Sequence, residues 1–300
     1  MGRTMRRSFC LPMLCAALLA PSLALAQEQV ASEAPITPRM MGLGGGGHGI
    51  SSSTSGIFVN PAAMGQTRSY HVDSSVLFDP SVDRWAFGGA VADTTREKFG
   101  AGLAYTFNTI SGSDNPHDSH EVRLSLSVNL AESIALGVTG RYFDYGGRAA
   151  TNTRRGTLGD GFTVDVGVFF RPIRMLTLGV TGYSLSNPSN SLTPLALGAG
   201  LGFFPVENFA VVADALIDFG SFDTARVRWS GGAELMVQRV PIRVGYAYDD
   251  ARWSNAVHMV TASLGYIDQR FGVEAALRQE VSGGSQSTLL LNLRYFHSLM

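Results

Sequence analysis

Apolar and polar residues alternate along most of the chain after residue 69. The clearest case runs from Val122 to Leu130, where every second residue is apolar and the residues between are Arg, Ser, Ser and Asn. A period of two places one set of side chains on each face of a β-strand. We count fourteen such segments: 70–78, 84–93, 99–110, 122–130, 134–141, 162–170, 176–180, 195–204, 209–219, 227–235, 241–248, 257–267, 270–281 and 289–295. The pattern predicts an all-β protein.

The lengths of the segments and of their connections favour a membrane barrel. Many of the segments hold about ten residues, as a tilted strand needs to cross a bilayer, whereas strands of soluble proteins most often hold five or six. Short connections such as 131–133 and 171–175 alternate with longer polar ones such as 111–119 and 146–160. Outer-membrane barrels combine short turns at one end with longer loops at the other. A soluble periplasmic β-protein is the alternative.

Two sets of side chains fit a barrel wall of this kind. Aromatic residues near segment ends suit the membrane interfaces: Trp85, Tyr142, Phe170, Tyr248 and Tyr295. Charged residues on the polar faces must point inward, because an Arg facing lipid at mid-depth costs about 2–4 kcal/mol. These residues are Arg123, Arg141, Asp165, Arg228, Glu234, Arg243, Glu274, Arg278 and Arg294. We expect them to pair across strands and to hold whatever fills the lumen.

The first 26 residues have the features of an export signal. Three arginines precede an apolar stretch from Phe9 to Leu25, which ends in Ala24-Leu25-Ala26. A small-x-small sequence after such a stretch is typical of signal-peptide cleavage. A membrane anchor is the alternative. Both cysteines, Cys10 and Cys15, lie in this segment, so cleavage leaves no disulfide, catalytic thiol or cysteine metal site.

Composition and charge exclude further classes of protein. The chain is 45% hydrophobic and only 16% charged, which excludes a largely disordered protein. The formal net charge is −1, and removal of residues 1–26, with three arginines and no acid, leaves −4. A basic stripe for nucleic acid is therefore not expected.

Residues 38–66 do not alternate. A glycine-rich run, 42–49, is followed by Ser51–Ser55 and then by Asn60-Pro61-Ala62. No Gly-Lys-Ser/Thr follows the glycines and no strand precedes them, so a phosphate-binding loop is not expected. A flexible linker is the plain alternative, but the stretch contains Met, Ile, Phe and Val, which linkers avoid.

This arrangement resembles the FadL-type outer-membrane transporters. The shared features are an Arg-x-x-Gly-x-Gly-Gly start, a stretch of small residues, and Asn-Pro-Ala between a signal peptide and about fourteen strands. The segments 165–168, 232–235 and 241–246 are similar to hairpins of the PorV-like branch of this superfamily.

The resemblance implies a transmembrane antiparallel barrel of about 14 strands in the bacterial outer membrane, with an N-terminal hatch inside the lumen. The domains are then a signal peptide (1–26), a hatch or plug (27–68) and the barrel (69–300). The hatch motif comprises Arg39, Gly42, Gly44, Gly45, Asn60, Pro61 and Ala62. Members of this superfamily open sideways at a kinked strand, and Gly100 and Gly102 mark a possible lateral opening in the third strand. Relief of crowding is the alternative for both glycines.

Two functions follow from the resemblance. The first is passive transport of hydrophobic small molecules across the outer membrane. The alternative is a scaffold or carrier for secreted proteins, as in PorV-like members. The expected partners are outer-membrane lipids, the barrel assembly machinery, and either a hydrophobic ligand or secreted proteins, without nucleic acid.

An outer-membrane enzyme is a third hypothesis. His117-Asp118-Ser119-His120 lies in the predicted loop 111–119 or at the start of the next strand and could hold a catalytic pair or a metal. A solvated polar loop explains the cluster equally simply, and His48 in the glycine-rich run is similarly ambiguous. We therefore expect no enzyme activity, cofactor or metal site.

Overall fold

The described part of the chain forms fourteen strands, two short helices and one 3₁₀ helix. The computed structural model describes residues 37–112, 117–145, 161–186, 193–220, 224–250, 256–282, 284 and 286–298. The helices are α1 (Pro38–Gly42), α2 (Ser53–Phe58) and a 3₁₀ helix (Pro61–Gln66). The predicted signal peptide lies outside the described residues. No helix in the described part of the chain is long and apolar enough to cross a membrane.

In the described ranges, the strands follow the 3₁₀ helix one after another. They are β1 (Ser69–Asp79), β2 (Arg84–Asp93), β3 (Phe99–Ile110), β4 (His117–Ala131), β5 (Ile134–Tyr145), β6 (Gly161–Ile173), β7 (Leu176–Tyr183), β8 (Ala196–Val206), β9 (Phe209–Asp218), β10 (Arg226–Val237), β11 (Val240–Asp249), β12 (Val257–Ile267), β13 (Phe271–Glu280) and β14 (Ser287–Ser298). Each of the fourteen predicted segments overlaps one of these strands. The start of β4 was placed too late, because its first residues are polar rim residues that do not alternate with apolar ones.

The sheet closes on itself. Each strand pairs antiparallel with its neighbours in sequence, and β1 also pairs with β14, for example Val72 with Tyr295. Closure removes both edges of the sheet, so every strand has partners on both sides. The predicted fold class, a closed antiparallel barrel of 14 strands, is confirmed.

The two faces of the wall differ in polarity as the alternation predicted. On β4, Leu124 and Leu126 are 57% and 53% exposed, whereas Arg123 and Ser125 are 5% and 0% exposed. The exposed large side chains of the other strands are similarly Val, Leu, Ile, Phe, Tyr and Trp. An apolar outside and a polar inside suit a barrel that is surrounded by lipid.

The two ends of the barrel differ in their connections. The connections that follow even-numbered strands are short, such as Glu132-Ser133 between β4 and β5 and Gln238-Arg239 between β10 and β11. The connections that follow odd-numbered strands are mostly longer, for example residues 184–195 between β7 and β8. We call these the turn end and the loop end. Ser69 pairs with Ser298, so β1 begins and β14 finishes at the turn end.

The predicted aromatic residues lie near both ends. Trp85 and Tyr142 are 40% and 51% exposed toward the loop end, and Phe170 and Tyr295 are 38% and 37% exposed toward the turn end. Tyr248 is half-buried and packs edge-on against His258, with 5.2 Å between the ring centroids.

The lipid-facing assignment predicts that the cost of an outward charge depends on its depth. Leu126 lies near the middle of β4, and Leu130 lies one residue before its end. We expect Leu126→Arg to lower the free energy of unfolding by about 2–4 kcal/mol and Leu130→Arg by about 0–1 kcal/mol. Denaturant unfolding in lipid vesicles measures both values. Equal costs for the two variants would contradict the assigned orientation.

Candidate functional site

Residues 37–66, which we call the luminal segment, line the inside of the barrel. The helix α1 contacts strands β11 to β14, α2 contacts β1 to β4, and the 3₁₀ helix contacts β3 to β6. Its side chains meet the buried polar faces of these strands, as the next contacts show. The segment therefore occupies the lumen, where the wall offers charged and hydrogen-bonding groups together with small apolar patches, such as Leu77 and Leu290 beside Met41.

Arg39 anchors the start of the luminal segment. Its guanidinium donates two hydrogen bonds to the carboxylate of Glu234 on β10, at 2.9 and 2.8 Å, and a third to the carbonyl of Ile50 at 3.1 Å. Burial disfavours the charge on Arg39, but the attraction of Glu234 outweighs it and raises the Arg39 pKa above its ordinary value. Arg243 on β11 donates to the same carboxylate at 2.5 Å.

A chain of charges continues from Arg243 around the wall. Arg243 also pairs with Glu274 on β13, which in turn forms an ion pair with Arg294 on β14 at 2.9 Å. Arg294 lies 3.5 Å from Asp73 on β1. Asp73 accepts a hydrogen bond from the hydroxyl of Thr54 in α2. The luminal segment is thus held at Arg39 and at Thr54 by the two ends of one ion-pair ladder.

A second charged cluster holds the end of α2. Glu121 on β4 accepts from Arg141 at 2.7 Å and from Arg123 at 3.2 Å. Arg123 lies over the ring of Phe58, 5.0 Å from its centroid, and donates to the Phe58 carbonyl at 3.3 Å. Arg141 also lies 3.5 Å from Asp165. The charged residues predicted to face inward do so, and Arg123, Arg228 and Glu234 among them contact the segment.

The glycines of the motif let backbone approach the wall. Gly44 and Gly45 adopt φ values of +82° and +83°, in the left-handed region that glycine tolerates best. The Gly44 N–H donates to the hydroxyl of Thr261 at 3.0 Å, and this hydroxyl donates to the carbonyl of Gly42 at 3.0 Å. A Cβ on Gly42 would overlap the side chain of Ser263.

Asn60 joins three parts of the structure. Its amide donates to the carbonyl of His48 at 3.0 Å and to that of Val168 on β6 at 3.1 Å. Its oxygen accepts from the Ala62 N–H at 3.1 Å and so caps the 3₁₀ helix, which Pro61 begins. Asn60 is fully buried. Proline fits this first helical position because its missing N–H would have no helical partner there.

His48 links the segment to β7 and β9, which the sequence did not predict. Its Nδ1 and its backbone N–H each lie 2.7 Å from one oxygen of Asp214, and its Nε2 lies 2.9 Å from the hydroxyl of Tyr183. That hydroxyl donates to the Val59 carbonyl at 2.5 Å. Since this donation uses the only phenolic hydrogen, both ring nitrogens of His48 must donate if all these bonds form together.

Wall glycines create the space for His48. A Cβ on Gly179 would overlap the His48 carbonyl oxygen, and one on Gly198 would overlap His48 Nε2. Gly179 and Gly198 lie on the adjacent strands β7 and β8. In the sequence, glycines at inward-facing positions of neighbouring strands indicate that the backbone of another segment lies close to the wall there.

Gly100 and Gly102 also face the luminal segment. A Cβ on Gly102 would lie 2.7 Å from Ile57 Cδ1, and one on Gly100 would lie 3.5 Å from Met64 Cε of the segment and 2.6 Å from Ser127 Oγ of the wall. The strand β3 that carries them pairs with β2 and β4 without a register shift. The structure therefore gives both glycines a packing role, and the lateral opening stays a prediction.

The histidine cluster lies at the start of β4, which is one of the two places that the sequence indicated. His120 is exposed on the outer face, where its Nδ1 lies 2.7 Å from the hydroxyl of Tyr105 and its ring packs against Phe107. Ser119 is the neighbouring strand residue and points to the opposite face. The two side chains therefore cannot form a catalytic pair. No group of three or more metal-ligating side chains occurs in the described ranges.

A pocket of about 180 Å³ separates the luminal segment from the wall near the loop end. Its apolar surface includes Phe58, Val59, Pro194, Ala196 and Leu216, and its polar surface includes His48, Arg123, Arg141, Tyr183, Ser184, Thr193, Asp214 and Arg228. For scale, a cavity of about 150 Å³ holds one benzene. The pocket therefore fits one small aromatic ring.

The comparison with solved structures finds the same kind of barrel. The CymD monoaromatic hydrocarbon channel aligns with a TM-score of 0.66 and 12% identity over 88% of this chain and 97% of its own. TbuX, a toluene transporter of Ralstonia pickettii, aligns with a TM-score of 0.63 and 12% identity, over 88% of this chain and 98% of its own. TodX, a toluene transporter of Pseudomonas putida, aligns with a TM-score of 0.62 and 12% identity, over 90% of this chain and 99% of its own. No family model and no curated protein matches the sequence.

These likenesses define the fold. A FadL homologue of Pseudomonas aeruginosa aligns with a TM-score of 0.59 and 12% identity over 88% of this chain and 98% of its own. The protein is a transmembrane barrel with the fold of the FadL-type transporters. The resemblance inferred from the sequence is confirmed at this level, and the narrower similarity to the PorV-like branch stays a prediction.

The space that Gly179 and Gly198 leave for His48 can be tested by substitution. A methyl group at position 179 overlaps the luminal segment, and overpacking of this kind costs about 1–3 kcal/mol. We expect Gly179→Ala to displace the segment and to raise ion conductance in planar bilayers. Gly89→Ala is the matched control, because its Cβ would meet only the Asp73 carbonyl oxygen at 4.0 Å. Equal conductance of both variants and the wild type would contradict the packing described.

A second test concerns Asn60. Asn60→Asp keeps the size and the capping oxygen but replaces two donors with an acceptor that faces two carbonyls, so about 1–3 kcal/mol of local stability is lost. We expect faster amide hydrogen exchange across residues 37–66. Asn208→Asp, in the exposed turn between β8 and β9, is the control. Unchanged protection in Asn60→Asp would show that the amide does not hold the segment.

Proposed function

We propose that the protein carries hydrophobic small molecules passively across the bacterial outer membrane. The observation that carries the proposal is the small, partly apolar pocket between the luminal segment and the wall, inside a closed lipid-facing barrel. An apolar solute gains little from a wide water-filled pore. A pocket that shields the apolar surface of such a solute from water provides a favourable binding site within the barrel.

The luminal segment serves as the hatch in this proposal. It fills the lumen beside the pocket, and the bonds among His48, Tyr183 and Val59 form the side of the pocket where the segment lies. Passage of a ligand then requires these bonds to rearrange, while the ion pairs of Arg39 keep the segment attached to the wall. Residues 1–26 act as the export signal, residues 27–68 as the hatch and residues 69–300 as the barrel.

The names of similar structures support the same class of cargo. CymD is described as a monoaromatic hydrocarbon channel, and TbuX and TodX are described as toluene transporters. The pocket of this protein has the size for a ligand of that kind. Insertion by the barrel assembly machinery and contact with outer-membrane lipids complete the proposal.

Uptake of toluene is the direct test. Cells that make the protein are expected to take up radiolabelled toluene faster than the same cells without it, and pre-incubation with unlabelled toluene should reduce the rate. Equal uptake by both cell lines would remove the transport proposal. The secretion scaffold would then be the remaining hypothesis from the sequence.

A depression on the outer face of the wall supports a lateral exit for the ligand from the barrel into the membrane. An apolar depression of about 520 Å³ lies over β3, β4 and β5, bordered by Phe99, Ala101, Leu126 and Val138. Gly100 and Gly137 line the same place, and on the lumen side each faces the luminal segment. The wall is therefore thin at this point, because these two positions carry no side chain.

We expect Ala101→Trp to fill the outer depression and to slow toluene uptake severalfold if the ligand leaves sideways. Ala262→Trp on β12 is the matched control, because Ala262 is also an exposed outward alanine and lies away from the depression. Both variants should show equal amounts of folded barrel by heat-modifiable gel migration. Equal uptake by the two variants would exclude this exit while leaving transport itself in place.

A further inference from the structure

His48, Tyr183 and Val59 are joined by two consecutive hydrogen bonds. The ring nitrogen His48 Nε2 lies 2.9 Å from the Tyr183 hydroxyl oxygen, which lies 2.5 Å from the carbonyl oxygen of Val59. A carbonyl oxygen can only accept, so the phenolic hydrogen of Tyr183 goes to Val59. His48 Nε2 must then donate to the phenolic oxygen. This side of the imidazole ring therefore needs an N–H.

The other side of the ring also needs an N–H. His48 Nδ1 lies 2.7 Å from Asp214 Oδ1, which accepts from the His48 backbone N–H at the same distance, 2.7 Å. An ionised carboxylate can only accept, so Nδ1 donates as well. With hydrogens on both ring nitrogens, His48 is an imidazolium that pairs with the Asp214 carboxylate. Both residues are 5% exposed, so water screens this pair little.

Loss of one proton from His48 would weaken two contacts together. The neutral ring keeps one N–H, which stays with Asp214 because a charged acceptor binds a donor more strongly than a neutral one does. Nε2 then becomes an acceptor, toward which the Tyr183 hydroxyl can turn. The Val59 carbonyl loses its donor, and the ion pair of His48 with Asp214 loses one of its charges. The luminal segment is then held less firmly on both sides of the ring.

The charged groups around His48 act on its proton in opposite directions. Asp214 on β9 favours the proton from 2.7 Å, while β8 presents Gly198 to the ring. Three arginines of the same pocket disfavour it, and two of them pair with acids: Arg228, and Arg123 and Arg141 with Glu121 and Asp165. Tyr183 on β7 faces Nε2, and a tyrosine ordinarily ionises only near pH 10. Below about pH 9, His48 is therefore the group among these whose charge a change of pH removes.

We propose that His48 is a proton-controlled latch of the luminal segment. The protonated ring holds the segment against β7 and β9, and loss of the proton loosens the segment beside the pocket. Because the held arrangement binds one proton more than the loosened one, raising the pH favours the loosened arrangement. The inference goes beyond the proposed transport function, since it does not depend on which molecule the protein carries.

His71 offers an internal comparison, because it also contacts the luminal segment. Its Nδ1 lies 3.0 Å from the hydroxyl of Ser53, and its Nε2 lies 3.5 Å from an oxygen of Asp73. A serine hydroxyl can donate or accept, so a neutral His71 satisfies both neighbours. The contact of His71 with the segment therefore does not require a second proton on its ring.

The proton count of His48 can be measured directly. Nitrogen NMR of the folded protein in detergent at pH 7, with ¹⁵N-labelled histidine, distinguishes an imidazolium from a neutral ring, and loss of one signal in His48→Gln assigns it. We expect His48 to carry hydrogens on both ring nitrogens. A neutral His48 at this pH would overturn the proposal.

Conductance across planar bilayers tests the consequence for the segment. Between about pH 6 and about pH 9 we expect the wild-type conductance to rise reversibly by about twofold to tenfold, the change in an equilibrium that loss of one hydrogen bond produces. His48→Gln should remove this rise, because its side chain does not titrate. His71→Gln is the matched control and should keep the rise. An equal rise in His48→Gln and His71→Gln would overturn the proposal.

Tyr183→Phe provides a second variant in case His48→Gln does not fold, which heat-modifiable gel migration reveals. It removes the hydroxyl that turns between Val59 and His48 but keeps the ring and the pair of His48 with Asp214. We expect a smaller conductance rise than in the wild type, and an undiminished rise would contradict the latch. Toluene uptake is not measured in these experiments, so failure of the latch leaves the transport proposal in place, and failure of transport leaves the latch.

Discussion

The requirement that every backbone N–H and C=O be paired away from water governs this structure. Within hydrocarbon an unpaired group costs several kcal/mol, so a sheet can cross a membrane only when its last strand pairs with its first. The pairing of β1 with β14 meets this requirement. Once the ring is closed, alternation alone sends Leu124 and Leu126 outward and Arg123 and Ser125 inward.

The polar interior creates a second requirement, because buried charges need partners. Arginines and acids on neighbouring strands satisfy one another, as Arg243 does with Glu234 and Glu274. The luminal segment uses the same network through Arg39 and Thr54. Where no charge is available, glycines such as Gly179 and Gly198 let its backbone lie directly against the wall. The interior is therefore specific for this segment, and buried apolar clusters, such as Ile57 and Met64 with Ala104, add to its hold.

The fold could be predicted from the sequence because each strand carries its own signal. Alternation needs no knowledge of distant residues, so all fourteen strands and the direction of their faces were recognised. The prediction failed at the start of β4, where polar rim residues obey no hydrophobic pattern. The sequence pattern also predicted no helices in residues 38–66. These short helices are stabilised by contacts with the inner wall, and they are too short to show an apolar stripe of helical period.

The candidate site was less accessible to prediction. The sequence singled out Arg39 and Asn60, both of which make the contacts of an anchor. It left His48 ambiguous and missed Asp214 and Tyr183, since the contacts of His48 with them span 166 and 135 residues. Only the closed ring brings such distant positions together. The pocket is a property of that closure and has no local pattern.

The ion-pair ladder between Arg39 and Thr54 has a mechanical consequence. Both ends of the ladder hold the same short stretch of chain, and each inner link shares a charged group with the next. Removing one charge leaves its neighbour buried without compensation and so weakens the following link too. The two attachment points of the luminal segment are consequently coupled, so a substitution at one end of the ladder alters the hold at the other.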